Sequence, residues 1–178
     1  TEIDYVFPQI SVSDKIVGNT TYQYLYMDGF GQLGEVGKPA LPMRNFNIVL
    51  PADADIRIDI LESSSETYTG YLIHPALEPA VDTEGAPEPE FTIDERFYQS
   101  DQKYPAEPVH LIAVNKIRGI PLALIQLCPV QYNPARGEIT VYKHLKIRVT
   151  FENGIALDPA AKVIMCTAVG QEQMVKLA

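Results

Sequence analysis

The sequence predicts an all-β fold, a two-sheet β-sandwich, and three observations carry that prediction. Hydrophobic residues recur at every second position in several segments, which is the period of a strand with one buried face. Pro, Gly and Asn separate apolar runs of strand length, and no helix-period segment precedes residue 160. With 178 residues, 46% of them hydrophobic, the chain can bury one good-sized core. We expect mixed or jelly-roll-like connections between the strands.

Alternation places strands at 45–50, 56–61 and 139–151, and an earlier strand at 22–27 ends at Asp28-Gly29, which favours a tight hairpin. Residues 139–151 alternate most regularly, but Lys143 interrupts their apolar side. Because thirteen residues make a long strand, we expect a bend or bulge near Lys143-His144.

Two further runs, 109–114 and 122–128, are almost continuously apolar, which is typical of strands packed between two sheets. A turn at residues 133–137 then joins the last two main strands.

Residues 76–108 form a long acidic, proline-rich loop, with nine acidic residues against Arg96 and Lys103. Proline removes a ladder donor and charges resist burial, so regular strand pairing is not expected here. The aromatic and aliphatic anchors in this loop predict that it lies over the sandwich; they are Phe91, Ile93, Phe97, Tyr98 and Tyr104. Two interpretations stay open, a packed surface connection and a partner-contacting segment.

The domain organisation follows from these patterns: a β-sandwich over residues 1–154, then a tail or linker over 155–178 that is loose or holds one short helix within 160–177. The net charge of −9 argues against a nucleic-acid partner. The longest apolar run, 120–130, is too short and too interrupted for a membrane span, and no signal segment is recognised at the start.

Side chains that could perform chemistry are few and scattered. His74, His110 and His144 lack metal-ligand spacing, so we predict no metal, no cofactor and no catalytic residue. Cys128 lies in an apolar strand and has no nucleophile signature; it is either a buried hydrophobe or the disulfide partner of Cys166. Two carboxylate pairs, Glu88/Glu90 and Asp94/Glu95, lack a calcium-loop pattern and are interpreted as solvated charges.

Tyr22, Tyr24 and Tyr26 share one strand face and are interpreted as a half-buried stack, with a flat aromatic platform as the alternative. A platform would favour a non-catalytic extracellular module that binds carbohydrate or a protein surface.

An ordered series of backbone marks allows comparison with a known family. It begins with Gly37-Lys38-Pro39-Ala40-Leu41-Pro42, then Leu50-Pro51, Gly70-Tyr71 and His74-Pro75-Ala76. Arg118-Gly119, the segment Pro129-Val130-Gln131-Tyr132-Asn133-Pro134 and the alternation over 139–151 complete it. In this order and spacing the chain resembles the N-terminal propeptide domain of gingipain-type cysteine peptidases, which belong to the caspase-like clan.

The resemblance implies a secreted, periplasmic or extracellular zymogen pro-domain. It would keep a C-terminal cysteine peptidase of the same precursor latent and act as its intramolecular chaperone. In such propeptides a basic residue on an exposed loop enters the specificity pocket of the protease, and here Arg118, followed by Gly119, occupies that position. Lys116 is a neighbouring substitute, while Arg96 and Lys103 are alternative contacts or maturation cleavage sites. A structural partnership with a peptidase-like domain of a secretion apparatus is a further alternative.

Overall fold

The structure is a computed structural model that describes residues 1–79 and 89–154, together with the backbone of two short strands at 164–165 and 173–174. Nearly all of its regular elements are strands, which confirms the all-β sandwich prediction. The strands are β1 (Glu2–Val6), β2 (Ile10–Val17), β3 (Thr20–Met27), β4 (Gly31–Gln32), β5 (Pro42–Val49), β6 (Asp55–Thr69), β7 (Val109–Ile117), β8 (Ile120–Leu127), β9 (Val130–Asn133), β10 (Glu138–Glu152), β11 (Ile164–Met165) and β12 (Gln173–Met174).

The first sheet is built around β10. β6 pairs antiparallel along one edge of β10, and β9 and β1 pair with successive parts of the other edge. Register shifts interrupt the β10–β6 ladder between Tyr142 and His144 and again between Lys146 and Ile147. The first shift confirms the bulge predicted near Lys143. Because bulges bend and twist a strand, β10 stays continuous over 15 residues while it follows the curved core.

The second sheet has the strand order β4-β5-β8-β7, and β2 and β3 form a separate hairpin. The tight turn predicted at Asp28-Gly29 exists, since the Phe30 amide donates to the Met27 carbonyl at 3.1 Å. The predicted hairpin after this turn is wrong, however. β3 pairs antiparallel with β2, the strand before it, while β4 pairs antiparallel with β5 in the second sheet.

The core lies between the inner faces of the two sheets. Leu145, Ile147 and Val149 of β10 pack in one cluster with Phe46 of β5 and Ile125 of β8. A second cluster fills one end of the sandwich, and its buried members are Leu25, Leu41, Ile73, Val130, Tyr132, Ile139 and Val141. The odd-numbered residues of β10 serve both clusters, which is why its alternation was so clear in the sequence.

The acidic loop lies over the sandwich at residues 89–108, as predicted; residues 80–88 of the same prediction lie outside the described part. The Phe91 ring lies 5.3 Å from Tyr22 and 5.5 Å from His74, and the Tyr98 hydroxyl donates to the Ile73 carbonyl at 2.6 Å. One feature was missed: a single-turn helix, α1 (Glu95–Tyr98), capped by the Asp94 carboxylate. One helical turn is too short to give a periodic signal.

Two further predictions need correction. Residues 109–114 form a strand, but only Val109 is buried, because β7 is an edge strand whose distal half is exposed. In the tail, the predicted helix is wrong at Ile164–Met165 and Gln173–Met174, which are extended and pair antiparallel. The rest of 155–178, including Cys166 and so the disulfide alternative for Cys128, lies outside the described residues.

Candidate functional site

The β7–β8 hairpin presents the predicted residues Arg118 and Gly119 at its tip. Ile117 pairs with Ile120, and the two residues between them have φ values of +51° and +83°. Positive φ at both central residues is the requirement of a type I′ turn, which matches the right-handed twist of paired strands. The turn therefore explains why a glycine follows the arginine.

Arg118 itself is conformationally costly at this position. Left-handed backbone costs an L-residue with a Cβ roughly 1–2 kcal/mol, and Asn or Gly is the common choice in such turns. In the described part of the chain, only Asp53, Arg118 and Asn153 combine positive φ with a side chain. An arginine at this strained position therefore points to a functional role, which an Asn would not, since strained residues of this kind cluster at functional sites.

The hairpin around the tip projects out of the folded body. Every residue from Val114 to Ile120 is exposed, and the relative exposure reaches 57% for Ile117 and 51% for both Val114 and Ile120. Ile117 and Ile120 are directly paired across the hairpin, and adjoining exposed apolar side chains, rather than ones scattered singly, mark interaction sites. The sequence did not predict this exposure, because an apolar run on a sheet edge has the same composition as one in a core. The polar pair Asn115-Lys116 was the one signal in the sequence that this part of the strand is exposed.

The hairpin is also locally basic in an acidic domain. No Asp or Glu occurs between Glu107 and Glu138, whereas Lys116 and Arg118 lie within this stretch. Among the described residues, no carboxylate forms a hydrogen bond or ion pair with Arg118, so its guanidinium is available to an acidic partner.

Of the other predicted basic residues, Lys116 lies at this site, whereas Arg96 and Lys103 do not. Lys116 lies two residues before Arg118 on β7 and is exposed. Arg96 is in α1, and Lys103 donates to the Thr140 hydroxyl at 3.3 Å. β8 runs from the tip towards β9, and β9 pairs with the part of β10 that contains Thr140. Lys103 therefore lies at the end of the sandwich away from Arg118.

The histidines are separate from one another and from the hairpin tip. His74 is 3% exposed, and its Nδ1 lies 2.7 Å from the Pro75 carbonyl oxygen. Burial lowers the pKa of His74 below its usual range. His144 is half-buried, and its Nε2 lies 2.6 Å from Asp4 Oδ1, while His110 is half-buried on β7.

Cys128 has the environment of a packing residue. It is fully buried, and burial raises the pKa of its thiol to about 12. The thiol lies 3.7 Å from the Gln126 side-chain oxygen. Since the thiolate is the reactive form, this cysteine is unsuited to nucleophilic catalysis at neutral pH.

Two acidic residues of the loop have structural partners. Asp94 caps α1, and Asp101 pairs with Arg136 at 2.9 Å, which lowers the pKa of that carboxyl. Residues 1–79 and 89–154 contain no group of three His, Cys, Asp or Glu side chains arranged to hold a metal ion. An open cleft of about 290 Å³ lies where Arg44 Nη1 donates to the Tyr5 hydroxyl, and nothing in its lining suggests catalysis.

The three tyrosines of β3 do not form a flat platform. Tyr22 is buried, Tyr24 is half-buried and Tyr26 is 51% exposed. The predicted half-buried stack is wrong: only Tyr24 is half-buried, and the aromatic neighbours of Tyr22 and Tyr24 are His74 and Phe91, which lie outside the β2–β3 hairpin. The structural basis for a carbohydrate platform is therefore lost.

Comparison with known proteins decides the family. The model of the family described as Propeptide_C25 matches residues 1–173. The chain belongs to this family. Its members are the propeptides of C25 cysteine peptidases, so the Propeptide_C25 domain is a non-catalytic pro-domain of a gingipain-type peptidase. A search of curated proteins found no match.

Two solved structures have the same fold as this Propeptide_C25 domain. One is a complex of the pro- and mature domains of RgpB from Porphyromonas gingivalis, with a TM-score of 0.77, 15% identity, and coverage of 88% of this chain and 82% of that one. The other is a structure of gingipain K from the same organism that concerns its zymogenic latency; it has a TM-score of 0.66, 21% identity, and coverage of 85% of this chain and 86% of that one.

Within the described residues no helix is long and apolar enough to cross a bilayer.

Proposed function

We propose that this Propeptide_C25 domain keeps a gingipain-type cysteine peptidase of the same precursor latent by placing Arg118 in its specificity pocket. The supporting observation is the hairpin tip, which holds an exposed arginine on a two-residue turn, with no carboxylate partner among the described residues. The planar guanidinium makes paired, charge-assisted hydrogen bonds with a carboxylate, so Arg118 suits an acidic pocket. One structural neighbour is a complex of pro- and mature domains and the other concerns zymogenic latency, which supports a role in latency, though not the choice of Arg118.

The backbone of the tip accounts for inhibition without turnover. A peptide that is cleaved runs through a protease cleft in an extended conformation, with φ well below zero. Arg118 and Gly119 instead have φ of +51° and +83°, and the chain reverses direction between them. The bond after Arg118 is thereby turned away from an extended path, while the side chain still projects from the tip.

The remaining parts of the proposal concern the rest of the chain. Residues 1–154 form the pro-domain, and residues 155–178 link it to the catalytic domain. The β-sandwich folds first and offers a preformed surface against which the peptidase folds, so it acts as an intramolecular chaperone. The precursor is exported, and Arg96 or Lys103 is cleaved during maturation, since both are exposed in the acidic loop.

The test is Arg118→Asn, measured by inhibition titration against the purified companion peptidase. Asn tolerates left-handed backbone and Asn-Gly is a favoured type I′ pair, so the turn should persist while the charge is lost. We expect inhibition to weaken at least about 30-fold, which corresponds to about 2 kcal/mol for a central anchor. Thermal stability should be unchanged or higher.

Two controls separate Arg118 from the alternatives. Arg96→Ala removes an exposed arginine at a distant site and should inhibit like the wild type. Lys116→Ala tests the neighbouring cation and should change inhibition by less than about fivefold, as expected for a rim charge. An unchanged inhibition constant in Arg118→Asn, or a loss confined to Lys116→Ala or Arg96→Ala, removes Arg118 from the proposed role.

A further inference from the structure

The buried ring of His74 has one nitrogen without a hydrogen-bond partner. Only 3% of the residue is exposed, and its Nδ1 lies 2.7 Å from the Pro75 carbonyl oxygen. A carbonyl oxygen only accepts hydrogen bonds, so Nδ1 carries the proton of the neutral ring and Nε2 is a bare acceptor. Across residues 1–79 and 89–154, no protein donor reaches Nε2. A second proton would therefore bind at a nitrogen that is buried from water.

Aromatic side chains from two separate elements enclose this ring. The centroids of the Tyr22 and Tyr24 rings on β3 lie 5.9 and 6.5 Å from the His74 centroid, and the Phe91 ring of the acidic loop lies 5.5 Å away. Phe91 also contacts Tyr22, at 5.3 Å. Burial among these rings disfavours a charge and holds the pKa of His74 below its usual range. Protonation places a cation in a site that suits a neutral ring.

Among the described residues, no carboxylate forms a hydrogen bond or ion pair with this ring. The titratable or charged groups on the elements packed around His74 are Lys15 on β2, Tyr22 and Tyr24 on β3, Lys38 before β5, Glu90 in the loop and Tyr98 in α1. Lys15 lies opposite Tyr22 in the hairpin, and its positive charge disfavours a second cation. Lys38 is ion-paired with Glu35, and Glu90 is exposed. The imidazolium is therefore left without a counter-charge while the site is closed.

The loop is the part of this enclosure that opens at the lowest cost. β3 is held by its ladder with β2, and the His74 amide donates to the Gln23 carbonyl of β3 at 2.9 Å. Residues 89–93, by contrast, make no main-chain hydrogen bond to any described element, and their next anchor is the Asp94 amide, which donates to the Gly37 carbonyl at 2.9 Å. Segments with few hydrogen bonds open first. The Phe91 side chain, 36% exposed, is therefore the main attachment of this segment beside His74.

We propose that a proton on His74 detaches residues 89–93 from β3 and opens the chain before Arg96 to proteolysis, so that acid promotes the maturation cut. Detachment lets water solvate the imidazolium, which relieves the cost of the buried charge. The detachment stands on the geometry of the His74 site alone. Its use in maturation rests on the proposed function, in which Arg96 or Lys103 is cut.

The positions of the two candidate cleavage sites favour Arg96. Proteases take their substrates as extended chain, and Arg96 lies in α1, which follows the detached segment directly. Release of 89–93 therefore frees the residues that precede the bond after Arg96. Lys103 is followed by Tyr104, whose main chain exchanges two hydrogen bonds with Tyr132, at 2.9 and 2.8 Å, and this part of the loop stays attached.

The first experiment follows the contact between Phe91 and Tyr22 by NMR of the whole chain from about pH 7.5 to about pH 5.5, where ordinary carboxyl groups keep their charge. We expect the ring-to-ring cross-peaks to lose at least about half of their intensity, with a midpoint that follows the His74 ring titration. His74→Phe keeps an aromatic ring that does not titrate, and His74→Gln keeps a donor for the Pro75 carbonyl; both should retain the cross-peaks. His110→Gln removes a half-buried histidine on β7 and should behave like the wild type.

The second experiment measures the rate of trypsin cleavage after Arg96, divided at each pH by the rate on a synthetic peptide of residues 89–101. From about pH 7.5 to about pH 5.5 this ratio should rise about tenfold in the wild type and less than about twofold in His74→Phe, since one pKa unit corresponds to a factor of ten. Phe91→Ala lacks the attachment and should be cut rapidly at both pH values.

The outcomes separate the proton-driven opening from the proposed function. Cross-peaks that persist in the wild type under acid, or that disappear equally in His74→Phe and His74→Gln, overturn the proposal. Loss of the contact without faster cleavage after Arg96 overturns the opening of the cleavage site. If Arg118→Asn still inhibits the peptidase, or if the precursor is cut only after Lys103, while both readouts respond to His74, the opening is supported and that part of the proposed function fails.

Discussion

Replacing Gly119 by Ala tests whether the shape of the tip, and not only its charge, makes the hairpin an inhibitor. Gly119 has φ of +83°, and a Cβ placed there meets no heavy atom within 4 Å. The substitution therefore leaves packing unchanged and acts only through the backbone. An L-residue resists this conformation, so the tip is driven towards negative φ and a more extended path.

The structure sets the expected magnitude. With no steric contact, the cost is that of left-handed backbone alone, about 1–2 kcal/mol. A domain of this size loses roughly 2–4 °C in Tm per kcal/mol, which gives a drop of about 2–8 °C. Gly18, in the turn between β2 and β3, supplies a matched control: its φ is +60° and its Cβ would also meet nothing within 4 Å.

The assay combines thermal unfolding with incubation of each variant with the companion peptidase. Gly119→Ala and Gly18→Ala should lose similar stability, but only Gly119→Ala should become a substrate that is cut after Arg118. Its inhibition should be transient, with a new fragment boundary visible by mass spectrometry. If both variants inhibit durably and remain intact, backbone geometry at the tip does not protect the bond after Arg118, and the reasoning is wrong.

Two further predictions concern buried titratable groups. Burial lowers the pKa of His74, so the unfolded chain takes up its proton first as the pH falls; stability should be full above about pH 6.5 and decline towards pH 5. Urea unfolding at several pH values across this range should show that the free energy of unfolding changes less with pH in His74→Gln than in the wild type or in His110→Gln. An equal pH dependence in all three would contradict the assignment. Burial raises the pKa of the Cys128 thiol to about 12, so this thiol should resist a thiol reagent at pH 8. The reaction is measured in Cys166→Ser, where Cys128 is the remaining cysteine, and it should go to completion in denaturant. Rapid labelling of the native chain would show that Cys128 is not buried.

Several elements could be predicted because their signal is local. The alternation of β10 follows from a strand period of two, and the interruption at Lys143 marked the bulge, since a charge cannot take an inward position without a change of register. The Arg118-Gly119 pair was identified from a family resemblance and from turn chemistry, and its positive φ values agree with that chemistry. These features depend on residues close together in sequence.

The tertiary structure decided what depends on neighbours distant in sequence. Residues 109–114 have a core-like composition, yet they lie on a sheet edge, because exposure is set by which strands pair and not by the strand itself. His74 is buried because Phe91 and Tyr22 close over it from remote segments. Sequence alone thus determined the sandwich, its turns and the candidate arginine, whereas the paired sheets decided that this arginine projects from an apolar, uncovered hairpin.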